Sequence, residues 1–551
     1  MSDYTPPEIP PNARVIKPTY DNRGNPVWKT RMSPPDDTFA MCLMVPDRIV
    51  PVIFVPGVMG SNLIQKGVIP KMAVKWRMDS ATTALAWATK DAGFRKRYLN
   101  PAAMAVDKDG AIPQGTQLPD EELRRRGWGE IGALSYSEVL VWLENALNDY
   151  GDPHAGERVR LMKDALHAEI GEAPLTYDEV ALSYRYRFPV YACGYNWLDD
   201  NANSAAQLSK RIDEVLARYR AERKRIDKVI IVTHSMGGLV ARHCSEVLGR
   251  KKDIFGIVHG VMPAIGAAAV YRRFKAGTED PTAWWNAKGA VATAVLGNNA
   301  ADMTAVLSSA PGPLQLLPTP EYGNNWLKIK DGAKEYSLPQ QGDPYGEIYT
   351  VRGKWWSMCE DRLVNPLNEE PNPKKHQAQM DADWNAYLDV VNTRVKNFHR
   401  GIVGQYHSVT HAFCGNSAAF KAYGTVTWIG DGGSWLRGNR SADVLDARAL
   451  DESEISTQRT VAAPLAGSGW QRAEHQKYRI SNPDEDGDGT VPKRSGLAPR
   501  GVCQGFLQVR VGHEPAYKAS EGVDNLRACR FTLRAIVKIA QQVDQTSLKY
   551  E

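Results

Sequence analysis

Apolar residues along this chain fall into two patterns. Short, largely apolar runs occur at Ile49–Val55, Val229–Thr233, Ile254–His259 and Phe506–Val511. Runs of this length, rich in β-branched residues, predict strands buried on both faces of a sheet. The stretch FPVYACGYNWLDDN (188–201) reads as a further strand ending in a polar, aromatic loop. Elsewhere apolar residues recur every three or four positions, the spacing of one helix face. Val139, Leu140, Leu143 and Leu147 do so within Tyr136–Leu147, and Leu208, Ile212, Val215, Leu216 and Tyr219 within 203–223. Leu239, Val240, Cys244, Val247 and Leu248 follow the run at 229–233, and a last helix is predicted over 525–543. Strands that alternate with helices in this way build a parallel sheet covered by helices, an α/β architecture.

The pattern changes twice. Residues 1–47 are polar and Pro-rich (PPEIPP, SPPDD) and predict an irregular arm along the surface. From 262 to 482 Gly, Pro, Ala and Trp dominate (AIGAAAVY, TAWWNAKGAVATAVLG, SSAPGPLQLLPTPEY, GKWWSM), with few clear strands. One charged helix is predicted over 374–400, with Trp384, Tyr387, Leu388, Val391 and Val395 on one face. This interval is too long for a connection and reads as an inserted cap or lid. The expected organisation is an arm (1–47), a core (48–261), a cap (262–482) and the end of the core (483–551). Small and aromatic cap residues suit an apolar surface over a cleft, a lipid-facing one included; a second packed subdomain fits them equally well.

Charge and cysteine content narrow the class. The 551 residues carry 68 Lys+Arg against 63 Asp+Glu, a net charge of +5, and the cations are scattered, so no nucleic-acid partner is expected. The seven cysteines stand singly with no C-x-x-C pair, which argues against a disulfide framework or a zinc ribbon. The start, MSDYTPPEIPPNAR, lacks the basic and apolar regions of a Sec signal peptide. No run of about 18 apolar residues predicts a membrane-spanning helix.

The candidate chemistry begins in KVIIVTHSMGGLVAR (228–242). A buried strand that stops at Ser235 and turns straight into a helix opened by Gly237 and Gly238 has the layout of the α/β-hydrolase nucleophile elbow. The usual G-x-S-x-G has Thr233 in place of its first glycine. The turn raises the Ser235 hydroxyl above the sheet, and the helix start offers free N–H groups to a developing oxyanion. A loop bearing Pro56, Gly57, Gly60 and Ser61 follows the early strand, where this fold draws a second oxyanion N–H; an ordinary strand–turn reads the same.

In this fold the nucleophile is followed along the chain by the acid and then the base. Of the eleven histidines only His513 lies beyond the GDGTVP loop, in a Gly-His turn after a strand. Asp488, in the tight Gly-Asp-Gly turn of that loop, is the preferred acid, and Asp431 in IGDGGSW is the alternative. Asp484, Asp486 and Asp488 also match the front half of a calcium loop, although Ser495 stands where its bidentate Glu belongs. Calcium is therefore the one metal the sequence raises, and the chemistry of the triad requires no cofactor.

Four stretches in order, VIFVPGVMGSNL, GYNWLDDN, THSMGGLVAR and GDGTVP followed by GH, resemble lipases of the lecithin–cholesterol acyltransferase and lysosomal phospholipase A2 type. SSAPGPLQLLP adds a weaker match. The resemblance implies an α/β-hydrolase fold with a large cap, Ser235 as nucleophile, Asp488 as acid and His513 as base, and oxyanion N–H groups on Val58 and Met236. It implies a serine lipase or phospholipase acting on acyl esters of glycerophospholipids at a membrane surface. An acyltransferase or amidase would use the same triad, and a non-catalytic binding module would keep the fold. The large lipase-like layout without a signal peptide is also similar to the antibacterial lipase effectors of bacterial type VI secretion. That similarity implies synthesis in the bacterial cytoplasm, export to a target cell's periplasm, and an immunity protein and secretion-spike components as partners.

Overall fold

Six strands form one sheet: β1 (Val52–Val55), β2 (Val190–Ala192), β3 (Val229–His234), β4 (Ile254–Gly260), β5 (Thr410–Gly415) and β6 (Gly505–Val509). Their order is β2-β1-β3-β4-β5-β6, and every neighbouring pair is parallel. The computed structural model describes residues 12–29, 37–149, 156–278, 297, 299–431, 444–450, 457–465 and 469–550. Pro51 interrupts the apolar run at 49–55, because it has no N–H to give a ladder. Arg48–Ile49 accordingly pairs with Arg225–Ile226, and β1 begins only at Val52.

The side chains of each strand alternate between two cores. Ile53, Val55, Val229, Ile231 and Ile257 join one apolar cluster with helices α2 (Asn201–Ala221) and α3 (Gly237–Arg242). Val52, Phe54, Ile230, Val232 and Val258 join the other with α1 (Ala133–Leu147) and α4 (Val523–Ala540). Burial on both faces explains why these strands read as continuous apolar runs. Helix α2 turns inward the face its spacing predicts, with Leu208, Ile212, Val215, Leu216 and Tyr219 all buried, whereas of the face predicted after the elbow Leu239, Val240 and Cys244 are buried and Val247 and Leu248 are exposed.

The interval 262–482 is not a single insertion, because β5 lies within it and forms the fifth strand of the central sheet. The remainder contributes a second, mixed six-stranded sheet. Its order is Lys334–Leu338, Leu327–Asp331, Val426–Gly430, Gly469–Ile480, Gln458–Leu465 and Arg448–Ala449. Trp326, Leu327, Trp428 and Tyr478 of this region share the apolar cluster of α2 and α3, so it packs directly on the core. The helix predicted over 374–400 runs from Pro373 to Asp389 and continues through a wider turn to Ile402, with Trp384, Tyr387, Val391 and Val395 buried. In the N-terminal arm Ala13–Ile16 pairs with Phe39–Cys42, so part of it is strand. The Trp-bearing segment 282–296 and the first eleven residues lie outside the described residues.

Candidate active site

β3 ends at His234, and the chain reverses at Ser235, whose φ of 52° lies in the left-handed region that residues with a side chain seldom occupy. The Ser235 N–H donates to the Gly260 carbonyl at 2.9 Å, which ties the turn to the end of β4. Helix α3 starts two residues later. A Cβ on Gly237 would come within 2.5 Å of the Val55 and Pro56 carbonyl oxygens, so this tight approach of helix to β1 requires glycine. Thr233, where the pattern has its first glycine, is fully buried and pairs across the sheet with His259. Its Oγ1 lies 3.0 Å from His259 Nδ1.

The structure brings Ser235, His513 and Asp488 together. His513 Nε2 lies 2.8 Å from Ser235 Oγ, and His513 Nδ1 lies 2.8 Å from Asp488 Oδ2. Asp488 is buried, and its second oxygen accepts N–H bonds from Thr490 at 2.9 Å and Val491 at 2.7 Å. The carboxylate can only accept, so Nδ1 of His513 carries the proton and Nε2 is free to take one from Ser235. Asp488 sits just past the short strand Glu485–Gly487, which pairs with Ser417–Ala422 directly after β5. His513 follows β6 by a short loop. Both therefore hang from the far edge of the sheet and reach back over the end of β3.

The other expected site residues lie as follows. Met236 is buried at the start of α3, and Val58 follows Gly57 in the loop after β1. Neither amide is engaged by another protein group among the described residues. Asp431 faces Arg479 at 3.8 Å on the second sheet, away from His513. The carboxylates read as a calcium half-loop do not converge. Asp484 accepts the Gly424 and Thr425 N–H groups, Asp486 faces Lys421 at 3.8 Å, and Asp488 has both oxygens committed. Among the described residues no three His, Cys, Asp or Glu side chains are grouped to hold a metal ion.

A cavity of about 60 Å³ opens beside Val58, walled by Met59, Trp76, Trp197, Val270, Met303 and Leu307, with Arg273 as its one charged lining residue among the described residues. It is narrow beside the ~300–1,000 Å³ of ordinary small-molecule sites. Arg273 donates to Thr490 Oγ1 at 3.3 Å, two residues past Asp488. The cavity roof comes from SSAPGPLQLLP, which also meets GYNWLDDN: the Gln315 side chain donates to Asp200 at 2.8 Å and accepts from the Asn201 N–H at 2.9 Å. Two residues near Ser235, His513 and Asp488 carry no local signal of a role in the sequence. Tyr136 on α1 and His234 on β3 lie 3.0 Å apart beneath the elbow. Burial holds the His234 imidazole down at about 3, with His513 adding to the shift, and burial raises the Tyr136 phenol above its usual range.

A parallel sheet with a strand–Ser–helix turn at its centre, flanked by helices on both faces, is the α/β-hydrolase fold. A family model described as the PGAP1-like alpha/beta domain matches residues 197–270, the segment that holds α2, the elbow and β4. A chain in the crystal structure of the Tle4-Tli4 complex resembles this one with a TM-score of 0.72 and 27% sequence identity, over 89% of this chain and 98% of that chain. No curated protein matches the chain.

Proposed function

We propose that this chain is a serine esterase that hydrolyses acyl esters of glycerophospholipids. The observation that carries the reading is the unbroken line Ser235 Oγ, His513 Nε2, His513 Nδ1, Asp488 Oδ2, with both links at 2.8 Å. Ser235 Oγ attacks the acyl carbonyl carbon while His513 Nε2 takes its proton. The carbonyl oxygen becomes an oxyanion that the Val58 and Met236 N–H groups stabilise. His513 then protonates the leaving alcohol, and the acyl group stays on Ser235. Water repeats the sequence, losing a proton to His513, and releases the fatty acid and the free serine. Every step is assigned to a group of this chain or to water.

Two features favour a phospholipid. The cavity beside Val58 is walled by apolar side chains suited to an acyl chain, and Arg273 supplies a cation at the same cavity for a phosphate. At about 60 Å³ it must widen to admit a chain. The likeness to a chain of the Tle4-Tli4 complex, together with the type VI resemblance, supports an antibacterial effector that is neutralised by a dedicated binding protein. Among the described residues no helix is long and apolar enough to cross a membrane. The reading also has the chain exported by a type VI spike and acting at a membrane surface.

The test is mass spectrometry of a mixed phospholipid suspension before and after incubation, with Ser235→Ala as control. Lysophospholipid and free fatty acid should accumulate with the native protein. Loss of the nucleophile should lower the rate on the order of 10⁶-fold. Equal release by both proteins would overturn the assignment.

A further inference from the structure

Three hydrogen bonds run in series beneath the elbow and connect two parts of the site that are far apart in sequence. The Gly57 N–H lies 2.9 Å from Tyr136 Oη, Tyr136 Oη lies 3.0 Å from His234 Nδ1, and His234 Nε2 lies 2.9 Å from the His513 carbonyl oxygen. The direction of each bond is fixed by its ends. A peptide N–H only donates and a peptide carbonyl only accepts. His234 must therefore carry its proton on Nε2, which leaves Nδ1 bare. The Tyr136 hydroxyl then donates to Nδ1 and accepts from Gly57. No donor or acceptor in the series is left over. Burial keeps the Tyr136 phenol protonated and the His234 imidazole neutral, and in those charge states all three bonds form together with the directions given.

The ends of the series matter for the chemistry. Gly57 and Val58 share a peptide group, so the direction of the Val58 N–H is set by the Gly57 carbonyl. That carbonyl accepts from the Gly60 N–H at 3.1 Å, and the Gly57 N–H is held by Tyr136. The loop is thus fixed on both sides of the peptide that offers the oxyanion donor. At the other end His513 is held through its carbonyl by His234 and through its N–H by the Asp488 carbonyl at 2.8 Å. The packing leaves no slack: a Cβ on Gly57 would stand 2.9 Å from His234 Nδ1, and one on Gly60 would stand 2.7 Å from Tyr136 Oη.

We propose that Tyr136 and His234 are positioning residues that hold the Val58 oxyanion donor and the His513 base in one fixed relation. The proposal rests on the reading of Ser235, His513 and Asp488 given above. Neither residue touches the reacting atoms. Each acts by keeping a peptide group aimed, so its loss falls on the transition state and not on substrate binding.

The experiment measures hydrolysis of p-nitrophenyl butyrate by the full chain, with kcat expressed per site titrated by a fluorophosphonate. A variant that merely folds poorly loses titratable sites but keeps its kcat per site. Tyr136→Phe, which removes one oxygen, should lower kcat per site by about 10- to 100-fold with KM within about twofold. His234→Gln can still offer an N–H toward the His513 carbonyl, whereas His234→Leu cannot. The Gln variant should keep at least about tenfold more activity per site than the Leu variant. Native kcat per site in Tyr136→Phe, a loss carried by KM, or equal rates for the two His234 variants would overturn the proposal. Native turnover that is unaffected by Ser235→Ala would overturn the functional reading and this proposal with it. Ser235-dependent turnover alongside unaffected Tyr136 and His234 variants would overturn this proposal alone.

Discussion

Asp488 holds His513 twice. Its carboxylate Oδ2 lies 2.8 Å from Nδ1 of the ring, and its peptide oxygen accepts the His513 N–H, also at 2.8 Å. The side-chain bond sets which ring nitrogen carries the proton, and the backbone bond sets where the ring stands. Asp488→Asn preserves the second and spoils the first, because an amide can present its N–H₂ to Nδ1 and force the proton onto Nε2. We expect kcat to fall on the order of 10⁴-fold with little change in the melting temperature. Asp431→Asn, which alters a carboxylate facing Arg479 on the second sheet, should leave kcat unchanged. Ester hydrolysis by the two variants decides the matter, and the reverse order would move the acid to Asp431.

Thr233 explains why the nucleophile motif lacks its first glycine. Its side chain is buried against β4, and its hydroxyl is the partner of His259 Nδ1, while His259 Nε2 has no hydrogen-bond partner among the described residues. Restoring the glycine in Thr233→Gly would leave the His259 ring without any side-chain partner in a fully buried position. The expected cost is about 1–3 kcal/mol of folding stability. Urea denaturation measures it, and a variant as stable as the native protein would contradict this role for Thr233. The proposed line from Ser235 through His513 to Asp488 does not pass through Thr233, so kcat should stay within a few-fold.

Legibility in the sequence followed burial and locality. β3, α2 and α4 could be read because two-sided burial or a single inward face leaves a regular apolar pattern. Ser235, Asp488 and His513 could be singled out because each sits in a short turn after a strand, in the chain order the fold uses. β5 was missed. Its sequence, THAFCG, is short, carries no β-branched run and lies between helical and Gly-rich segments, so only its pairing with β4 and β6 identifies it. The calcium half-loop matches in spacing, but its three carboxylates are drawn to separate sets of partners, which no spacing rule anticipates. Tyr136 and His234 meet across 98 residues, and each is unremarkable in its own neighbourhood.

Arg273 gives the proposed substrate preference a direct check. Among the described residues it is the one charged residue lining the cavity that begins at Val58. A charge-assisted bond from its guanidinium to a lipid phosphate would contribute about 1.5–3 kcal/mol. Arg273→Gln should then lower kcat/KM for a phospholipid by about 10- to 100-fold while leaving a neutral diacylglycerol within about threefold. The neutral lipid also serves as control for Thr490, which Arg273 contacts beside the acid loop. Parallel losses on both lipids would assign Arg273 to the support of that loop and not to head-group recognition.

Four buried histidines set the stability of the fold against pH. Burial is the leading cause that holds His234 and His259 down at about 3, and His399 and His411 down at about 4, from an ordinary value of 6.5. His399 is fixed much as His234 is, with its Nε2 at 2.8 Å from the Gln315 carbonyl and its Nδ1 at 2.7 Å from Tyr345 Oη. Above pH 6.5 these rings are neutral in the folded and unfolded chain alike and contribute no pH dependence. Between 6.5 and about 4 the unfolded chain takes up protons that the folded chain cannot. Stability therefore falls as the pH falls through this window. Each ring contributes about 1.4 kcal/mol per pH unit there. Acidification from pH 7.5 to 5.5 should remove roughly 5 kcal/mol, a large share of the ~5–15 kcal/mol typical of a folded protein. Melting temperatures at pH 7.5, 6.5 and 5.5 would register this as a steep drop over the last unit. A profile flat across that range would mean that these rings titrate in place and that their burial does not hold them neutral.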